Sequence, residues 1–282
     1  MKKMTFILAV LSLIVVFTSP VFAGPSRAII QEMGSIVGDG EINVDLDWVS
    51  QGVSAASARD TTIGNGNATA GGITLSSVNI GVTENLELRL GRLPGLRSFV
   101  TLPAGSGNNY GLTFKTAGFV PGLGIWAGYG STALKDMSSA DSAGDIEGSS
   151  WRLGAAYTWA GPFIVNGTAN IGSDTSKTAG INTLGDTTTT ELAGAALYPL
   201  RENLLVGLEL HYAVIDLDKA KTGVDKLDVL VPALGARATA GNWTIDAIAA
   251  LVGTSIKPDV SGTDTATATV IGVPNLRVNY KF

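Results

Sequence analysis

The sequence contains no cysteine, a single histidine, and charged side chains at only 15% of its 282 positions. The missing cysteines remove disulfides, thiol chemistry and cysteine-ligated metal from consideration. With one histidine there is no histidine pair, and no phosphate-binding loop is present either. A basic excess is lacking as well: 19 Lys and Arg stand against 24 Asp and Glu, which argues against nucleic acid as a partner. Soluble domains carry about a quarter of their residues as charges. Here the charge is scarce while 45% of residues are hydrophobic and 36 are glycine, as expected if much of the outer surface never meets water. Long apolar runs are absent beyond the amino terminus. The two longest uncharged stretches, 116–134 and 153–173, are interrupted by Pro121-Gly122 and Gly161-Pro162. The second also places Asn166, Thr168 and Asn170 at every other position. A spanning helix wants about 20 mostly apolar residues, so a helical membrane protein is set aside.

What is present begins with a leader. Lys2 and Lys3 precede an apolar core from Phe6 to Phe17, and Ser19-Pro20 break it before the small-x-small sequence Val21-Phe22-Ala23. This predicts a secretory signal peptide over 1–23, cleaved after Ala23. Without Lys2 and Lys3 the basic count falls from 19 to 17 against 24 acids, a net charge of −7. At the other end, Leu276, Val278, Tyr280 and Phe282 alternate with Arg277, Asn279 and Lys281. That is a period-2 strand with one greasy and one wet face. Its far edge needs a partner, and the first strand of a closed barrel supplies one. The ending resembles the closing strand of Gram-negative outer-membrane β-barrels. The resemblance implies that Leu276, Val278, Tyr280 and Phe282 serve as an assembly signal for the barrel-assembly machinery. It also implies periplasmic chaperones in biogenesis, outer-membrane lipids and lipopolysaccharide as surroundings, and export through the periplasm to the outer membrane.

The rest of the chain carries the same pattern. Strands are predicted at 41–50, 72–82, 86–93, 109–120, 123–131, 151–159, 163–171, 188–198, 204–214, 226–239 and 243–251, with the closing strand ending at Phe282. A β-bulge is expected at Ser76-Ser77, where the apolar parity slips, and another is invoked for Pro232. Twelve strands result, with ten or fourteen as the neighbouring even counts. Five short connections alternate strictly with six long ones. The predicted fold is therefore all-β: a transmembrane, antiparallel, up-and-down β-barrel over 41–282 with short periplasmic turns and long extracellular loops. Residues 24–40 read as a periplasmic lead-in, with a short plug as the alternative, and 27–33 as a short helical turn. The connection 94–108 reads as a surface loop, with an inward constriction bearing Arg97 as the alternative. Two aromatic girdles are expected, Trp159, Phe163, Tyr198, Trp243 and Phe282 near the short turns, and Trp48, Tyr110, Trp151 and Tyr212 near the opposite ends.

Charges on the wet face of a spanning strand must line the lumen, because the lipid face rejects them. The parity assigns Asp45, Asp47, Glu87, Glu191, Glu209, Asp228 and Asp246 inward, against Arg89, Lys115, Arg152, Arg277 and Lys281. His211 and Trp126 share the inward parity. Twelve strands lie between barrels filled by side chains and those with an aqueous channel. Inward Gly and Ala (Gly111, Gly124, Gly128, Gly154, Ala156, Ala193, Ala195, Gly207) leave space, so a passive pore for small hydrophilic solutes is the leading expectation. A non-conducting barrel with a structural or adhesive role is the second. A lipid hydrolase is the third, and it needs a serine and a histidine on the lipid side. His211 faces the lumen and its predicted strand holds no serine, so no catalytic residue is assigned. No metal site and no cofactor is expected.

Overall fold

The computed structural model of the chain describes residues 28, 31–58, 61–62, 70–95, 110–134, 146–178, 186–217, 224–258, 266–272 and 275–282. The predicted signal peptide, Arg97 and the Trp48 side chain lie outside the described residues. Twelve strands run in order: β1 Ile42–Ala58, β2 Ala70–Thr83, β3 Leu86–Arg92, β4 Tyr110–Ala117, β5 Leu123–Leu134 and β6 Ile146–Ala160. Then follow β7 Ile164–Thr178, β8 Thr187–Arg201, β9 Leu204–Asp216, β10 Val224–Ala240, β11 Trp243–Pro258 and β12, made of Ala266–Gly272 and Asn275–Lys281. A two-residue piece, Thr61–Thr62, pairs with the end of β1.

Each strand pairs antiparallel with its sequence neighbours, and β12 pairs both with β11 and with β1. The ring is therefore closed. The closing register sets Asn43 opposite Lys281 and Trp48 opposite Leu276. Phe282 N–H donates to the Ile42 carbonyl at 2.8 Å, so the pairing continues to the last residue. Closure leaves no unpaired edge, which a sheet in hydrocarbon requires. Connections of two to five residues alternate with connections of seven to seventeen. The fold is an outer-membrane-type β-barrel of twelve strands.

Alternation puts large apolar side chains outside. Leu90, Phe114, Leu153, Leu192, Leu208, Leu230 and Ile245 are all exposed, each on a different strand. A belt of that extent on a water-soluble protein would aggregate; against lipid it is the favourable surface. The bulge is where parity predicted it. Asp45 pairs with Ser77 and Leu46 with Leu75, so Ser76 is skipped and both Leu75 and Val82 face out.

Four expectations need correction. Strands run further toward the long loops than their apolar pattern: β6 starts at Ile146, β7 reaches Thr178, and β11 reaches Pro258. Above the lipid both faces meet water, so Ser- and Thr-rich stems keep pairing without alternating. Pro232 sits in no bulge. The β10–β11 register is the same on either side of Val231 and Pro232, which lack cross-strand partners there. The predicted helical turn is not formed by the described residues 31–33. Asp228 does not point inward; it shares the outward parity of Leu230 and Leu234 and accepts a hydrogen bond from Tyr212 Oη at 3.2 Å. On β10 the inner face is Val229, Val231, Ala233 and Arg237.

Candidate functional site in the barrel interior

The inner face divides into two sectors. On β1–β7 and β12 it is polar and ionic. On β8–β11 it is largely apolar, with Ala195, Leu197, Ala213, Ile215, Val229, Val231, Ala233, Ile248 and Ala250 in one buried cluster. Ala28 and Met33, from before the first strand, join that cluster.

Their presence inside the wall identifies the occupant of the bore. Residues 31–38 run along the interior at the short-turn end, held from at least five strands. Gln31 N–H donates to Glu209 on β9 at 3.2 Å, and the Gln31 side-chain oxygen accepts from Thr168 on β7 at 2.8 Å. The Glu32 carbonyl accepts from Asn166 Nδ2 at 2.8 Å. Gly34 N–H donates to Thr158 Oγ1 on β6 at 2.8 Å, and Val37 N–H to Glu87 on β3 at 2.9 Å. The Ala28 carbonyl accepts from the Arg237 guanidinium on β10. These contacts hold the described residues 31–38 inside the ring.

Two glycines make the fit. A Cβ built on Gly34 would stand 1.7 Å from the Gly122 carbonyl oxygen, and one on Gly81 would stand 1.8 Å from the Gly38 oxygen. The segment and the wall meet backbone to backbone. Gly34→Val is therefore expected to expel the segment, since overpacking of this kind costs about 1–3 kcal/mol and the segment can move. The readout is cleavage after Glu32 by a glutamate-specific protease. The wild-type barrel, in which Glu32 is buried, should resist, and the variant should be cut while its strands stay intact.

The charged groups form paired clusters. Arg89 grips the Glu32 carboxylate with both terminal nitrogens, at 2.5 and 2.8 Å, and Lys115 Nζ adds a third contact at 3.2 Å. Arg89 also donates to Asn79 at 2.7 Å and lies 3.3 Å from Glu87. Asp45 accepts from Ser77, Asn79 and Asn279 at 2.7–2.9 Å. Asp47 pairs with Arg277 at 2.7 Å and with Arg92 at 3.5 Å. Further round the ring Arg152 chelates Asp174 at 2.7 and 2.9 Å, and Arg237 chelates Asp246 at 2.7 and 2.8 Å. His211 sits between Glu191, 3.2 Å from Nδ1, and Glu209, 3.1 Å from Nε2.

Of the thirteen charged or histidine side chains assigned to the lumen by parity, the structure buries Asp45, Asp47, Glu87, Arg89, Lys115, Arg152, Glu191, Glu209, His211, Asp246 and Arg277 inside the ring. Lys281 joins Asp228 as an exception. Its side chain is 44% exposed and pairs with Glu41, because the last residue of β12 stands at the rim. Sequence reasoning missed Glu32, Asp174 and Arg237. Arg237 was legible, since it lies directly across from Asp246 in the β10–β11 register. Glu32 lies in a stretch with no periodicity to place it.

A second inward feature begins the connection after β3, whose residues 96–109 lie outside the described residues. Leu93 and Pro94 are buried, Leu93 lies against Gly128 of β5, and the Pro94 carbonyl accepts from Asn170 Nδ2 on β7 at 3.2 Å. With only seven residues, β3 ends early and releases the chain into the bore. Outside the ring, Trp159 packs on Phe163 with centroids 5.5 Å apart, and Tyr280 stacks between Trp243 and Phe282 at 4.5 and 4.6 Å. Tyr198 is exposed at the same end, and Tyr110, Trp151 and Tyr212 are exposed toward the other.

No protein-family model matches the chain, and no curated protein matches it significantly. Solved structures do overlay on it. An outer membrane channel from Pseudomonas putida F1 aligns over 93% of this chain and 98% of its own, with 8% identity and a TM-score of 0.43. OmpT, an outer membrane protein of Vibrio cholerae, aligns over 88% and 99%, with 9% identity and a TM-score of 0.40. The outer membrane channel DcaP of Acinetobacter baumannii aligns over 86% and 98%, with 9% identity and a TM-score of 0.38. The likeness is one of barrel architecture.

Proposed function

We propose that the chain is an outer-membrane channel for passive diffusion of small solutes, closed at its short-turn end by its own amino-terminal segment. One observation carries the reading: the ring of twelve strands encloses a bore wide enough to admit a polypeptide. Small inner residues make the room, among them Gly124 and Gly128, and residues 31–38 occupy it beside the wall's own buried side chains. An inner face bearing buried carboxylates and guanidinium groups suits water and hydrophilic solutes. The buried charges among the described residues are eight acids, Glu32, Asp45, Asp47, Glu87, Asp174, Glu191, Glu209 and Asp246, and five bases, Arg89, Lys115, Arg152, Arg237 and Arg277. The acidic excess favours cations. A non-enzymatic role goes with this reading, and the placing of both His211 ring nitrogens against carboxylates supports it.

Single-channel recording in planar bilayers tests this. Protein lacking residues 24–38 is expected to give discrete open steps with mild cation preference, and the intact chain to open rarely and to smaller levels. Silence from both at high protein input would favour the second reading, a non-conducting structural barrel. The dense pairing of Arg152 with Asp174 and Arg237 with Asp246 is the observation on its side.

A further inference from the structure

The contact at Glu32 differs in kind from the others that hold the segment. Elsewhere the wall groups named above meet backbone atoms or a neutral amide of the segment. At Glu32 a carboxylate is received by a site built for one. Arg89 presents its planar fork to both oxygens, Lys115 adds a point charge, and Arg89 is itself oriented by Asn79 and Glu87. Arg89 and Lys115 are 1% and 2% exposed, so the site is dry and its geometry is fixed by the strands that carry it. The guanidinium fork matches carboxylate and phosphate oxygens bidentately, and here it holds a carboxylate. The site belongs to the wall, on β3 and β4, while its occupant belongs to the segment. The surroundings are apolar on one side, where the Trp126 ring lies 5.9 Å from Lys115 Nζ and is 2% exposed. The Trp126 indole N–H has no acceptor among the described residues.

We propose that the Arg89–Lys115 pair is a binding site for a small monocarboxylate with an apolar body, and that Glu32 is its internal competitor. A solute carboxylate entering the bore takes the place of the Glu32 carboxylate, and the segment loses that ionic anchor to β3 and β4. The solute that binds is then the solute that loosens the plug. This rests on the channel reading for its consequence, though not for the binding itself. The seat holds one negative charge in either state, and the charge inside the ring is unchanged once the displaced Glu32 carboxylate leaves it with the segment. It also assigns Glu32 a part that a merely structural ion pair would not have: a carboxylate from solution should replace it.

Calorimetry on the full mature chain in detergent micelles tests the seat directly, with sodium benzoate, benzamide and sodium acetate as probes. Glu32→Ala vacates the seat and should bind benzoate about tenfold or more tightly than the wild type does. Benzamide, the neutral isostere, should give no measurable binding, and acetate should bind about tenfold or more weakly than benzoate. Adding Arg89→Gln should abolish benzoate binding. If Glu32→Ala fails to show the heat-modifiable mobility of a folded barrel, Glu32→Gln keeps the side-chain length and removes the charge, and the same ranking is expected. Equal binding of benzoate and benzamide, or of benzoate to wild type and variant, overturns the proposal. Equal binding of benzoate and acetate overturns its apolar half. In bilayers, benzoate should raise the open probability of the intact chain while benzamide does not. A chain that binds benzoate yet passes no current fails as a channel and keeps its carboxylate seat. A chain that conducts yet does not discriminate benzoate from benzamide keeps the channel and loses the seat.

Discussion

Replacing Arg89 by methionine is expected to destabilise the barrel by about 3–5 kcal/mol, the cost of removing one partner from a buried ionic group. Arg89 is 1% exposed and faces Glu32 and Glu87, so the substitution leaves two carboxylates buried near each other with Lys115 as the remaining named counter-charge. The size of the loss comes from those stranded carboxylates rather than from the lost attraction. Neutralising them as well, with Glu32→Gln and Glu87→Gln in the Arg89→Met background, should therefore recover most of it. Urea unfolding of the barrel reconstituted in lipid vesicles gives the numbers. A loss below about 1 kcal/mol would place the pair in the range of solvated surface bridges. It would mean that water reaches Arg89 freely and that the short-turn end is not sealed as described.

The prediction exposes the difference between what the chain's pattern reveals and what it hides. Where hydrocarbon lies on one side and water on the other, every second residue is constrained, and the pattern is readable residue by residue. That is why the register of Asp45, Asp47, Glu87, Arg89 and Glu209 follows from parity alone, and why the slip at Ser76 shows as a bulge. The constraint fails in three places. Above the lipid, strands such as β6 and β7 have water on both faces and need no alternation, so their ends were set too short. Inside the ring on β8–β11 the lumen-facing residues are themselves apolar: Val229 and Val231 face in while Leu230 and Leu234 face out. A greasy inner face erases the contrast that fixes parity, and Asp228 was misplaced and Arg237 overlooked for that reason.

The third failure concerns the segments that enter the bore without being part of the wall. Residues 31–38 and the stretch Leu93–Gly95 are neither lipid-facing nor paired into the ring, so neither period constrains them. What places them is complementarity with groups far away in sequence: Glu32 with Arg89, Gly34 with Gly122, Pro94 with Asn170. No local window contains both members of such a pair. A hint did exist in the inward charges, since Arg89 and Lys115 stand on adjacent strands with Glu87 as the one acid assigned near them. An unbalanced basic pair in a water-poor interior asks for another carboxylate. Glu32 is one of three acids between the predicted cleavage site and the first strand, with Asp39 and Glu41.

The claim beneath all of these is that lipid covers the outer face, and a single strand can test it with a depth profile. Leu210 stands at the middle of β9, 51% exposed, between the outward residues Leu208 and Tyr212. Leu210→Arg is expected to cost about 2–4 kcal/mol in vesicles, because arginine at the bilayer midplane is expelled by hydrocarbon. Leu200, 55% exposed and one residue from the end of β8, lies at the short-turn rim, and Leu200→Arg is expected to cost about 0–1 kcal/mol. In water both substitutions would fall within about 0.5 kcal/mol of neutral, as surface changes usually do. Exposure cannot explain a difference between the two leucines, since theirs is nearly the same. Only the depth of a hydrocarbon layer can. Equal effects at the two positions, measured by unfolding from vesicles, would remove the bilayer from around the ring. The inward charges would then have no reason to be inward.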